Sequence, residues 1–97
     1  MLTHEQIVQV MEIIAPRVGA TRVSYFGSYA QGSATSTSDL DVLVEFGKRD
    51  ASLLTLIDFK QQLESELGIP VDVIHSPLPE GAMIEVGEVV PAYEVVM

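Results

Sequence analysis

Asp39-Leu40-Asp41 sets two carboxylates one residue apart in a run, Asp39 to Phe46, with Leu40, Val42, Val44 and Phe46 at every second position. Side chains alternate on an extended strand, so the two acids project from one face with Cβ atoms roughly 6–7 Å apart. That spacing suits two oxygens gripping one hard cation, or bridging two. Without a cation the pair repels, and one carboxyl tends to keep its proton. The plain alternative is a solvated strand face with incidental acids. Asp72 lies in Val71-Asp72-Val73-Ile74, a strand otherwise apolar. A buried, unpaired acid there would cost several kcal/mol, on the order of the transfer penalty for a charged group. If the two strands are neighbours, Asp72 joins Asp39 and Asp41 on one face; otherwise it faces solvent on a half-exposed strand. Upstream, Gly27-Ser28 offers close backbone approach to a phosphate, amides at a helix start and a hydroxyl donor. Two familiar loops are excluded. The phosphate-loop pattern fails because Ser33 stands where Lys is required, and the calcium-loop pattern fails at Leu43 and Val44.

These residues need elements to hold them. Thr3 followed by Gln6 is a capping box, and Ile7, Val10, Met11 and Ile14 recur at helical spacing, with Pro16 limiting the end. The pattern predicts a helix over about residues 4–15. Thr21 to Phe26 reads as a short strand, Gly27 to Ser33 as a small-residue turn able to open a short helix, and Ala34 to Ser38 as a polar loop. After the Asp39–Phe46 strand comes a turn, Gly47-Lys48-Arg49-Asp50. Ser52 caps a second helix with Leu53, Leu56, Ile57, Leu63 and Leu67 as its buried stripe and Gly68 as its stop. Ile69 to His75 is a strand and Ser76 to Gly81 a loop. Glu88 to Met97 is an extended tail that Pro91 confines to a sheet edge. The expected fold is a two-layer α/β domain spanning residues 1–97, one mixed sheet with helices mainly on one face.

Gly27-Ser28, ten residues, Asp39-Leu40-Asp41 and the later Asp72 together resemble the minimal nucleotidyltransferases of the DNA polymerase beta superfamily. Ser38 before the first acid, Gly32, and the apolar Val42-Leu43-Val44 reinforce the likeness, which runs from about Tyr25 to Ile74. The chain departs from the pattern at Gln31, where many members carry Arg. The resemblance implies a polymerase-beta-like fold and a division of roles. Asp39, Asp41 and Asp72 would be the catalytic, metal-holding acids for Mg2+ (or Mn2+). Gly27, Ser28, Gly32 and Ser38 would contact the nucleotide, ATP. Minimal members are commonly encoded with a small helical HEPN-domain RNase, expected to be dimeric, as a toxin–antitoxin pair. The implied function is that of an antitoxin transferring AMP from ATP to a tyrosine of its toxin. Two alternatives are a non-catalytic antitoxin that only occludes the toxin, and a transferase acting on a small-molecule hydroxyl.

Composition narrows the field. Fourteen acidic against five basic residues give a net charge of −9, which repels nucleic acid and anionic lipid, so no direct nucleic-acid partner is expected. An acidic chain handling polyphosphate needs a cation or a basic partner. Ninety-seven residues without Cys exclude disulfides and thiolate zinc sites. No apolar run approaches the roughly 18 residues of a membrane span, and no signal peptide is evident, so a cytoplasmic location away from membranes is expected. His4 and His75 are expected at the surface, and Tyr25, Tyr29 and Tyr93 as packing or rim residues.

Overall fold

The computed structural model describes residues 2–46, 52–75 and 88–95. The turn expected at Gly47–Asp50 and the loop expected at Ser76–Gly81 lie outside the described residues, as do the last two residues of the tail. The element order is α1 (His4–Val18), β1 (Ala20–Phe26), α2 (Ser28–Gln31), β2 (Leu40–Phe46), α3 (Leu53–Leu67), β3 (Val71–His75) and β4 (Val90–Glu94).

The expected capping box opens α1. Gln6 N donates to Thr3 Oγ1 at 3.2 Å and Thr3 N donates to Gln6 Oε1 at 2.8 Å, satisfying two amides left open by the helix start. Pro16 does not end the helix. Proline removes one amide donor, but its fixed φ is itself helical, and the chain continues to Val18 before Gly19 turns left-handed at φ 79°.

Ser52 caps α3 as expected, its hydroxyl accepting from Thr55 N at 3.2 Å, and Gly68 stops it at φ 73°. The buried stripe is displaced from the expected one. Phe59, Leu63 and Leu67 are buried and Leu56 packs beside them. Leu53 is 72% exposed and Ile57 42%. Phe59 sits three residues after Leu56 and four before Leu63, so it takes the inward phase that Ile57 cannot share.

The sheet order is β3-β2-β1-β4. β1 runs antiparallel to β2 and to β4, and β2 runs parallel to β3. The parallel pair needs a crossover, which contains α3. Helices α1 and α3 pack on each other and on one face of the sheet, α1 over β1 and β4 and α3 over β3. Ile7, Met11, Phe59 and Leu63 meet Val23, Leu40, Val42, Val44 and Val71 there, all within 1% of complete burial. Pro91 lies on the edge strand β4, where its missing donor costs no ladder bond to a further strand. The expected two-layer mixed α/β architecture is therefore the one formed.

Candidate active site

Burial alternates along β2: Leu40, Val42 and Val44 face the helices, while Asp41, Leu43 and Glu45 take the other side. Asp39 stands one residue before the strand rather than within it. In the parallel pair, Asp41 is opposite Asp72, Leu40 opposite Val71 and Val42 opposite Val73. In-register residues of neighbouring strands share a face. The juxtaposition of Asp72 with the acid pair, conditional in the sequence, is thus present. On the other side, Asp41 is opposite Phe26 of β1, the residue before Gly27.

Asp41 is the centre of this arrangement. Burial pushes its carboxyl pKa above the ordinary value, and the charges of Asp72 and Asp39 push it further in the same direction. Its carboxylate makes no hydrogen bond among the described residues. An acid that is partly desolvated, repelled by two others and given no donor is one that a cation would relieve.

Gly27 has φ 71° and ψ −146°, a backbone conformation that side chains rarely tolerate. A Cβ built there would collide with Asp41 Oδ2 and stand 3.3 Å from its Cγ. The sequence suggested that Gly27 is small to admit a phosphate; in the fold its missing side chain first makes room for the Asp41 carboxylate. Ser28 begins α2, and its carbonyl accepts from Gly32 N and Ser33 N. Gly32 turns left-handed at φ 75° to close α2, with nothing within 4 Å of a Cβ built on it. It serves the turn. Ser38 Oγ accepts from Thr35 N at 2.8 Å and lies 3.3 Å from Thr35 Oγ1. Thr35, read in the sequence only as part of a polar loop, is therefore a partner of this motif; its three-residue spacing from Ser38 is the signal that was available.

His4 is exposed as expected but not idle: its Nδ1 lies 2.7 Å from the hydroxyl of buried Tyr25. That contact ties the start of α1 to β1 two residues before Gly27. His75 packs its ring against Phe46, centroids 5.3 Å apart, and lies in register with inward-facing Val44, out of phase with Asp72.

Among the described residues, no group of three or more His, Cys, Asp or Glu side chains, Asp39, Asp41 and Asp72 included, stands close enough together to hold a metal ion by itself. Mg2+ at phosphate-handling sites is held by one or two carboxylates plus substrate oxygens, with waters retained. The donor set at this end of the sheet, oxygen-only and in carboxylate excess, fits that mode of binding. No helix among the described residues is long and apolar enough to cross a membrane.

Comparison with known proteins follows the same lines. The nucleotidyltransferase domain family matches residues 7–91. The protein adenylyltransferase MntA of Thermococcus cleftensis is 37% identical over 78 residues, which are 76% of this chain and 78% of that protein. A Methanocaldococcus jannaschii relative, named as a candidate protein adenylyltransferase, is 52% identical over 56 residues. This chain spans 59% of that relative's length, and the match covers 58% of this chain. A chain of a solved toxin–antitoxin complex with AMP-PNP superposes with a TM-score of 0.74 over 97% of this chain and 75% of its own, at 20% identity. A chain from a complex of tri-AMPylated Shewanella oneidensis HEPN toxin with MNT antitoxin gives 0.71 over 96% and 74%, at 13% identity. At those identities the structural likenesses speak for the fold. The family match covers most of the chain and the MntA match three quarters of it, so the chain belongs to the nucleotidyltransferase domain family.

Proposed function

We propose that residues 1–97 act as one minimal nucleotidyltransferase domain, a metal-dependent antitoxin that transfers AMP from ATP to a tyrosine hydroxyl of a HEPN RNase. The observation that carries the chemistry is Asp41, unpartnered, in register with Asp72, repelled by Asp39 and seated against Gly27. The partner and the AMP transfer are supported by the relative named protein adenylyltransferase and by the folds shared with toxin–antitoxin complexes, one containing AMP-PNP and one an AMPylated toxin.

Asp39, Asp41 and Asp72 would hold Mg2+, which when bound neutralises the polyphosphate and acts as a Lewis acid toward the α-phosphate. Gly27 and Ser28 offer backbone amides and a hydroxyl to the β- and γ-phosphates, and Gly32 shapes the turn that presents them. The tyrosine oxygen attacks the α-phosphorus, the bond to the β-phosphate oxygen breaks and pyrophosphate leaves. Asp72, exposed and in register with Asp41, would accept the phenolic proton. The net charge of −9 suits an RNase, whose RNA-binding surface must be basic, and speeds their encounter. The AMP phosphate then places negative charge where RNA would bind. An ATP-consuming reaction of this kind belongs in the cytoplasm.

Intact-mass spectrometry of the co-encoded helical protein, incubated with this chain, ATP and Mg2+, tests the reading. A mass gain of whole AMP units, absent with Asp39→Asn, is the expected result. Inhibition of the RNase without any mass change, equal in wild type and Asp39→Asn, would replace transfer by occlusion.

A further inference from the structure

Residues 33–39 carry the chain from the end of α2 to Asp39. Ser33 N donates to Ser28 O at 2.9 Å, anchoring the near end of this stretch. At the far end, Thr35 and Ser38 are bound to each other reciprocally. Thr35 N donates to Ser38 Oγ at 2.8 Å, Ser38 N donates to Thr35 O at 3.1 Å, and the two hydroxyls lie 3.3 Å apart. Thr37 N reaches Thr35 Oγ1 at 3.4 Å, making Thr35 the hub. Immediately beyond Asp39, Leu40 N donates to Pro70 O at 3.0 Å, which begins the pairing with β3. Asp39 itself is exposed, and its carboxylate makes no hydrogen bond among the described residues. Its position is therefore set by its two neighbours, one locked to Thr35 and the other to Pro70.

We propose that Thr35 and Ser38 are positioning residues that set where the Asp39 carboxylate stands relative to Asp41. The Ser38 hydroxyl is committed to the loop rather than offered to the nucleotide. This rests on Asp39 as an oxygen donor to the cation. Mg2+ demands near-ideal octahedral geometry, and a displacement of about 1 Å in a reacting constellation costs up to about 10²-fold. A lock on the residue before Asp39 is a direct way to hold such geometry on an otherwise exposed loop.

The test compares wild type, Ser38→Ala, Ser38→Thr and Thr35→Val. Amide hydrogen exchange on the metal-free proteins should show faster exchange at residues 35–40 in Ser38→Ala, by about tenfold and first at Thr35, whose amide loses its acceptor, with Val42 and Val44 unchanged. Mn2+ titration by electron paramagnetic resonance, with a non-hydrolysable ATP analogue present, should show affinity about tenfold lower in Ser38→Ala. Ser38→Thr keeps the acceptor and should restore both. Thr35→Val loses only the hydroxyl branch and should fall between. Wild-type exchange and wild-type Mn2+ affinity in Ser38→Ala would overturn the lock. Equal loss of analogue binding with and without metal would also overturn it, making Ser38 a direct nucleotide contact. If wild type binds neither Mn2+ nor the analogue, the nucleotide-site reading fails instead, while the exchange measurement, which needs no ligand, still decides the lock.

Discussion

The two ends of the sheet face turned away from α1 and α3 carry acids in opposite circumstances. At one end Arg22 of β1 is opposite Glu45 of β2 and opposite Glu94 of β4. Its guanidinium reaches both, Nε to Glu45 Oε2 at 3.3 Å and a terminal nitrogen to Glu94 Oε1 at 3.2 Å. At the other end Asp41 is opposite Asp72, with Asp39 nearby, and no Lys or Arg among the described residues pairs with any of them. Glu45 and Asp41 occupy the same strand and the same face. Composition alone does not separate them; the cross-strand neighbour does. An acid opposite an arginine is part of the sheet's surface, whereas an acid opposite another acid keeps an unmet charge that a ligand can meet.

Removing the unmet charge should produce the largest change. Asp41→Asn should abolish AMP transfer, by about 10²–10³-fold or more, the scale for losing one preorganised charge-stabilising group. A radiolabelled transfer assay reads this, and a folded protein by circular dichroism excludes collapse as the cause. Full activity in Asp41→Asn would erase the distinction between the two ends of the face.

Backbone comes next. Gly27→Ala meets both a positive φ and the Asp41 carboxylate. It should cost about 1–3 kcal/mol of stability and weaken nucleotide binding as Asp41 is displaced. Gly19→Ala shares the left-handed φ but meets nothing within 4 Å, so it should cost only about 1–2 kcal/mol and leave nucleotide affinity unchanged. Urea unfolding and calorimetric titration with ATP and Mg2+ separate the two. Equal nucleotide affinities would show that the Gly27–Asp41 contact is incidental.

The third prediction concerns pH. The folded-state pKa of Asp41 is raised above its ordinary 3.8, so the native state binds more protons than the unfolded state between those two values. Stability must fall as pH rises through that window and stay lower above it. Metal-free Asp41→Asn should therefore melt at a higher temperature than wild type at neutral pH, with the gain fading below about pH 3.8. A lower Tm at neutral pH would show that Asp41 has a stabilising partner. The smallest effect belongs to the compensated end. Both partners there are exposed, so Glu94→Gln should change stability by less than about 1 kcal/mol, less still at high salt, with AMP transfer untouched.

Much of this was legible in the chain. The capping box at Thr3, the cap at Ser52, the stop at Gly68 and the alternation of Leu40, Val42 and Val44 are local patterns, and local hydrogen bonding or strand geometry suffices to produce them. The motif from Gly27 to Asp72 was also readable, because residue type and spacing carry it. The inward phase of α3 was not. Leu53, Ile57 and Phe59 are all apolar, and which of them turns inward depends on how the helix settles against α1 and β3, not on hydropathy. Pro16 misled for a different reason: it removes an amide donor, but its fixed φ is itself helical, so the helix runs on to Val18 and ends at Gly19.

The sequence by itself determined the element types, their order and the identity of the acids, since each follows from interactions a few residues apart. Only the tertiary structure decided that β2 and β3 lie parallel in a register placing Asp72 opposite Asp41, and that the space beside Gly27 belongs to the Asp41 carboxylate. It alone decided that Arg22 neutralises Glu45 and Glu94 rather than the aspartates. Register is a long-range choice, made by burying one face of every strand at once. The charge environment of a side chain follows from it.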